Sequence, residues 1–531
     1  MTTCTFRMIA LLGWLCAASL HADNPVVSHR HLADPNGFVF GDRIYAMCSN
    51  DDDNGSGYDM KSAVVISTND LVNWTDHGDV FRTSRDAKWA SGSYAPTAVA
   101  AKGKVYMYFP NVASGVGVLI ANRPEGPYKD PLGKALVSGS AQCPMAWCFD
   151  PVIFVDDDAS ASAYLMWGGG TPYGSNFRGS ALNADMTSLK GSLSTPATPN
   201  SFEGPFIHKY KGNYYLHYPV QGSSNIEYSM SGTSPISGYT RKGVLLANPT
   251  LNGKNINGNN NSHESVFPYK GSWYMMYHDR RLPDGSTYKR DVSIDKLEYN
   301  ADGTIKPVVV TSGMAQLASF DPYDSIPAAT MSKQSGIKAS FNAASWTNHL
   351  VPQASGSWIR ISGVDFKGGA KSLRVNASST VANATVEIRA GSETGTLAGT
   401  CAIAKTASLA SFATSECSLA GLTGVKDIYL KFVGVAANAN FAWYRFVPSA
   451  TAVLPGHATS LAVSALPGDG AIFNLRGRLV RHLAVGPTDE LAEFWRANSK
   501  SLPVGSYLAR IQSGGTSRSE KFVRTSDSGN K

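Results

Sequence analysis

Charge is what this chain has least of. Only 16% of its 531 residues are Asp, Glu, Lys or Arg, too few for a disordered, solvated chain or for long salt-bridged helices. The formal net charge is a modest +7, with Lys and Arg scattered. That excludes the basic stripe expected of a nucleic-acid partner. The apolar run from Met8 to Leu20 is too short for a membrane span, and none is expected. Cysteine is sparse, seven in all and without a C-x-x-C pair, which argues against a zinc site. What is abundant is Gly (51 residues) and aromatic side chains (10%), the profile of a β-rich, loop-rich extracellular protein.

The N-terminus reads as a signal peptide over residues 1–22. Arg7 supplies the positive end, the apolar run follows, and Leu20-His21-Ala22 offers a cleavage site. The protein is therefore expected to be secreted or held at the cell surface. Export permits disulfides. Cys401 and Cys417 lie on neighbouring strand-like segments and are the preferred pair. Cys143 and Cys148 can close a small loop just before Asp150, leaving Cys48 unpaired.

One pattern then returns five times: ADPNGFVFGDRIYAM, YAPTAVAAKGKVYMYF, FDPVIFVDDDASASAYLMW, FEGPFIHKYKGNYYLHY and HESVFPYKGSWYMMYH. Each copy is a short apolar stretch, a turn and an aromatic-rich stretch. Their landmarks Asp34, Ala95, Asp150, Glu203 and Glu264 fall 53 to 61 residues apart, a period of propeller blades with four strands each. The turns Lys102-Gly103, Lys211-Gly212 and Lys270-Gly271 recur at one place in the copies. The fold class is all-β, with a five-bladed β-propeller over residues 23–319. Residues 320–335 read as a linker. Residues 336–447 hold alternating strands with Gly turns, a β-sandwich pattern. Residues 448–460 read as a second linker, and 461–531 as a small basic β domain.

Inner strands of a propeller converge on its axis, so Asp34, Asp150 and Glu203 are expected to meet in one pocket. Glycoside hydrolysis needs an acid to protonate the leaving oxygen and a base or nucleophile opposite it. A third carboxylate nearby raises the pKa of the acid. Taken singly, each acid could equally start a turn beside its proline. The acid runs Asp156–Asp158 and Asp51–Asp53 read as surface loops.

Several motifs of residues 24 to about 318 resemble glycoside hydrolase family 43, inverting enzymes on a five-bladed propeller. They are NPVVSHRHLADP, WCFDPVIFVDDD, SFEGPFIHKYKGNYYLHY, NSHESVFPYKGSWYMMYHDR and KRDVSIDKLEYNADGTIKPV. The resemblance implies Asp34 as general base, Asp150 as pKa modulator and Glu203 as general acid. It implies that His263 reaches the axis and holds calcium in the propeller channel, where the alternative is a buried, hydrogen-bonded histidine. It implies no organic cofactor. Arg290 matches an arginine that enters the sugar pocket, the alternative being a surface strand residue. Tyr94 stands where the family commonly has Trp, an aromatic face for the sugar.

Residues 336–447 are similar to a family 6 carbohydrate-binding module through GSWIRISGVDFKGGAKSLRVNAS, LTGVKDIYLKFVG and NANFAWYRF. This implies Asn440 as a sugar ligand, with Phe412 and Trp346 as stacking aromatics. Ala442 replaces the acid that would hold that family's structural calcium. The tail resembles type IX secretion sorting domains through FNLRGRLVRHL, LPVGSYLARI and KFVR. Together these imply a monomeric α-L-arabinofuranosidase acting on arabinoxylan. A β-xylosidase of the same family and a non-catalytic carbohydrate-binding protein are the alternatives.

Overall fold

The computed structural model describes residues 23–53 and 56–449, and four strands between 469 and 524. The signal-peptide reading and most of the second linker lie outside these residues. The chain divides into two units, Met1–Ala452 and Val453–Lys531.

The first unit begins with five antiparallel sheets in chain order. Their first strands are Leu32–Phe40, Thr97–Ala101, Val152–Val155, Phe206–Tyr210 and Glu264–Tyr269. Each neighbours the next, and the fifth returns to the first. This ring is a five-bladed β-propeller. Strands in it are covered on both faces by adjacent blades, so Ser62–Thr68 (SAVVIST) is buried at every position and shows no polar alternation.

Apolar seams between blades form the core. Phe38, Met47 and Phe81 of blade one meet Val105, Met107 and Phe109 of blade two. Tyr108 and Val118 meet Ile153, Leu165 and Trp167. Phe206 and Leu216 meet Met275 and Tyr277. Ile44, Val64 and Ile66 meet Phe267 and Met276, closing the ring. Blade five has three strands, and the N-terminal segment fastens it from outside. Val26 N–H donates to the Val292 carbonyl (2.8 Å), and the Asn24 amide bonds the main chain of Ile294 in both senses (3.1 Å each).

The hairpin turns Lys102-Gly103, Lys211-Gly212 and Lys270-Gly271 have positive φ at both positions. Their flanks pair directly, as Ala101 with Lys104, Tyr210 with Asn213 and Tyr269 with Ser272. That is the two-residue primed turn whose twist matches the strands.

The 320–335 segment is built into the fold rather than serving as a linker. Tyr323 is fully buried and donates to the Phe366 carbonyl (2.7 Å). Thr330–Met331 adds to the outer edge of blade one beside Trp74–Asp76. Lys333–Ser335 pairs with Trp358–Asp365 of the sandwich. Main-chain pairing at both ends leaves no free spacer. The sandwich itself has two antiparallel sheets. The Cys401–Cys417 disulfide joins Thr396–Ala402 of one to Ala413–Ser418 of the other. Cys143 pairs with Cys148, and Cys48 is free and buried. Among the described residues no helix is long and apolar enough to cross a membrane. The second unit holds one antiparallel four-stranded sheet built from Asp469–Asn474, Leu479–Ala484, Gly505–Ser513 and Thr516–Arg524.

Candidate active site

A shared backbone feature aims the acids at the axis. Asp34, Ala95, Asp150 and Gly204 each precede a proline and have positive φ (50°, 43°, 44° and 57°). A side chain there costs on the order of 1–2 kcal/mol, strain that the surrounding ring must hold. In blade four Gly204 occupies the strained step, and Glu203 sits one residue earlier. Glu203 is therefore offset from Asp34 and Asp150 in the repeat.

Asp34 is nearly fully buried. Its carboxylate accepts from Ser49 Oγ (2.6 Å) and from Arg290 Nη1 and Nη2 (2.9 and 3.2 Å). Burial opposes its ionisation, but Arg290 and His263 outweigh that and hold it well below the usual carboxylate range. Arg290 is held from behind by Asp51, which accepts from Nε (2.8 Å), Nη2 (2.9 Å) and the main-chain N–H (2.9 Å). Arg290 thus lies in the pocket on the Asp34 carboxylate, not on a surface strand. Asp51, read as a surface residue, is fully buried. The run NDDDNGSG has no spacing that reveals this. Asp156 is also buried, accepting from Tyr214 Oη (2.6 Å) and Lys209 Nζ (2.7 Å).

Asp150 accepts from Gly204 N–H (3.2 Å); its other oxygen has no protein partner. Burial, then the nearby Glu203 and Asp34 charges, push it well above the usual range against the pull of His263. Glu203 accepts from Asn261 Nδ2 on an Asn-rich loop, a contact no sequence motif announces.

His263 stands between the acids. Its Nδ1 lies 3.2 Å from Asp34 Oδ1, and its Nε2 lies 3.2 Å from Glu203 Oε1 and 3.8 Å from Asp150 Oδ2. Burial disfavours its charge, but the three carboxylates outweigh burial and raise its pKa to about 10. His278 is the reverse case, with burial and Arg290 lowering it to about 4. Its Nε2 donates to the Asn261 carbonyl (2.9 Å) and its Nδ1 accepts from Asp34 N–H (3.2 Å). The same Nδ1 lies 3.1 Å from Asp34 Oδ1. Tyr94 is half-buried, edge-on to Phe149 at 6.0 Å.

Below the acids is an axial cavity of about 30 Å³, lined by Asn36, Thr97, Asp150, His263 and Glu264 among others. Both Glu264 oxygens and Asp150 Oδ1 are buried there without a hydrogen-bond partner, His217 Nδ1 lying 3.7 Å from Glu264 Oε1. Oxygen donors of this kind fit a hard cation. Asp150, Glu203 and His263 also bring one donor atom each within 4.8 Å of one another. His263 can join only in its neutral form, since a protonated ring has no lone pair to give.

A buried ionised acid and a second carboxylate on opposite edges of one imidazole supply the two carboxyl groups that glycoside hydrolysis needs. Residues 22–305 match the family model for glycosyl hydrolases family 43. The chain belongs to that family. Residues 327–448 match the carbohydrate binding module of family 6, so this member of the family is a glycosidase that also binds polysaccharide. It is 35% identical over 480 residues to an arabinoxylan arabinofuranohydrolase of Paenibacillus polymyxa, covering 80% of this chain and 74% of that protein. It is 33% identical to one of Bacillus subtilis, covering 84% and 98%. A crystal structure of a family 43 arabinoxylan arabinofuranohydrolase from Bacillus subtilis with cellotetraose superposes with a TM-score of 0.74 at 32% identity. It covers 80% of this chain and 97% of that one.

In the module, Asn440 Nδ2 donates to the Leu409 carbonyl (3.1 Å), and Phe412 of the same loop packs on His349 at 4.6 Å. Trp346 is elsewhere. Its indole donates to the Glu125 carbonyl of the propeller (2.6 Å) under the Arg85 guanidinium (4.6 Å). Half-buried, it serves the domain contact.

Proposed function

We propose that this enzyme removes α-L-arabinofuranosyl groups from arabinoxylan by a single displacement that inverts the anomeric centre. Asp34, held ionised by Arg290, takes the proton of the attacking water. Glu203 delivers a proton to the leaving oxygen. Asp150 shares the Nε2 edge of His263 with Glu203 and takes the third carboxylate's place beside the acid. The observation that carries this is the placement of Asp34 and Glu203 on opposite nitrogens of His263. Two 3.2 Å contacts across one ring limit the separation of those oxygens to roughly 9 Å, compatible with the ~6.5–9.5 Å that leaves room for water. The substrate rests on the relatives' names at 33–35% identity over four fifths of the chain. Relatives named xylosidase/arabinosidase cover about half of it, at 27–29% identity, and keep a β-xylosidase as the second reading.

A calcium ion in the propeller channel is proposed as well. Asp150 and Glu264, with neutral His263, would hold the ion in the axial cavity. When bound it supplies positive charge beside the acids. The signal-like residues 1–22 support a secreted or cell-surface enzyme, read here as a monomer, and the tail motifs support a type IX sorting role.

Aryl α-L-arabinofuranoside and aryl β-D-xyloside assayed side by side test the substrate; faster xyloside turnover reverses the order of the two readings. Glu203→Gln is expected to lower kcat on arabinoxylan by roughly 10²–10⁴, and unchanged kcat removes Glu203 from the mechanism. NMR of the first-formed arabinose is expected to show the inverted anomer.

A further inference from the structure

The stretch 248–261 has no part in the repeat, yet it ends on the Glu203 carboxyl. Half of its residues are Asn, so hydrogen bonds rather than apolar packing must hold it. Asn255 Oδ1 accepts from the main-chain N–H of Asn257 and of Gly258 (2.9 Å each). Asn259 Oδ1 accepts from Asn255 Nδ2 (2.6 Å) and Asn248 Nδ2 (2.8 Å). Arg280 N–H donates to the Ile256 carbonyl (2.8 Å). Glycine at 258 lets the loop lie on that arginine, since a Cβ there would be 2.5 Å from Arg280 Nη1.

From this scaffold Asn261 reaches both Asp34 and Glu203. Its main-chain carbonyl accepts from His278 Nε2 (2.9 Å), and His278 Nδ1 accepts from Asp34 N–H (3.2 Å). Ser262 Oγ donates to the His278 carbonyl (2.6 Å) and fastens the same contact. The Asn261 side chain then donates from Nδ2 to Glu203 Oε1. His263 Nε2 approaches that same oxygen (3.2 Å), and none of the described residues donates to Oε2. Two residues thus join the main chain of the base to the carboxyl of the acid. An oxygen that faces a donor cannot also carry the acid's proton on that side, because two hydrogens would meet. The proton to be transferred therefore belongs on Oε2.

We propose that Asn261 is a positioning residue for proton delivery: its amide holds Oε1 and so turns Oε2 towards the oxygen that leaves. The proton passes from Oε2 to that oxygen as the glycosidic C–O bond breaks, and the electron pair of the O–H bond stays on Glu203. Negative charge then spreads onto Oε1. A hydrogen bond to a charged acceptor is stronger than one to a neutral acceptor, so the Asn261 N–H gains most in the transition state and lowers the barrier rather than tightening binding. This rests on the reading of Glu203 as general acid.

The test uses full-length Asn261→Ala and Asn261→Leu. Neither removes the main-chain carbonyl that bonds His278, and Leu keeps the side-chain volume. Protonation matters for a poor leaving group and little for one that departs as a stable anion. On phenyl α-L-arabinofuranoside both variants are expected to lose kcat/KM roughly 10- to 100-fold, a part of what a general acid is worth. On the dinitrophenyl arabinofuranoside they should stay within about threefold of the wild type. Equal losses on the two substrates, or no loss on either, overturn the positioning role. Glu203→Gln on the same pair separates the two readings. Without a larger loss on the phenyl substrate there, the general-acid reading falls and the positioning role with it. Selectivity in Glu203→Gln but not in the Asn261 variants overturns the positioning role alone.

Discussion

Asp51 shows how a single residue enters the site without a motif. It neutralises Arg290 from behind while Asp34 faces the pocket, so one guanidinium joins two carboxylates. Removing a partner from a buried pair leaves an unpaired charge, worth about 3–5 kcal/mol. Asp51→Ala is therefore expected to destabilise by that order in denaturant unfolding and to lower kcat/KM, because Arg290 is no longer aimed at Asp34. A loss under about 1 kcal/mol would mean Asp34 alone satisfies Arg290. The three acids were legible because a repeat carries them. Asp51, Asn261 and Ser49 were not, because each acts through a partner far away in the chain or off the repeat.

At the element scale the primed turns carry Lys at their first position, where Asn is the preferred residue. Lys102→Asn should raise stability by roughly 0.5 kcal/mol, read as a higher Tm, with activity untouched because the turn lies at the far end of the strand from Pro96. His31 immediately precedes the first inner strand and ties it to blade five. Its ring lies 2.8 Å from Asp291 and 3.1 Å from Asp284. Burial lowers its pKa, but these two carboxylates outweigh burial and raise it to about 9. A folded pKa above the unfolded value of about 6.5 stabilises fully below 6.5 and is lost as pH rises through 9. The Tm gap between wild type and His31→Gln is expected to be widest near pH 6 and to shrink by pH 10. A gap constant with pH would show that His31 contributes packing and not charge.

At the scale of the whole molecule, the propeller and the sandwich share structure. Beyond the strand Thr330–Met331, Asn73 and Ser362 exchange hydrogen bonds (2.9 and 2.8 Å). Asn348 Nδ2 donates to the Asp76 carbonyl (3.0 Å), and Trp346 is clamped under Arg85. Truncation after residue 319 is therefore expected to lower the Tm of the propeller and its aryl-glycoside activity, besides weakening binding to insoluble xylan. Equal Tm values for the two forms would show that the module is merely tethered. The linker reading of 320–335 missed this because two prolines and a polar run look alike in a spacer and in a short edge strand; only the pairing partners differ.

Sequence alone determined the all-β class, the five blades, the Lys-Gly turns, both disulfides and the placing of the three acids at one pole. All of these follow from local period and spacing. Tertiary structure decided that Asp34 is held ionised, that Arg290 points inward and that Trp346 serves the domain contact. Those depend on burial and on charges brought together across the closed ring, sums over distant residues that no local pattern encodes.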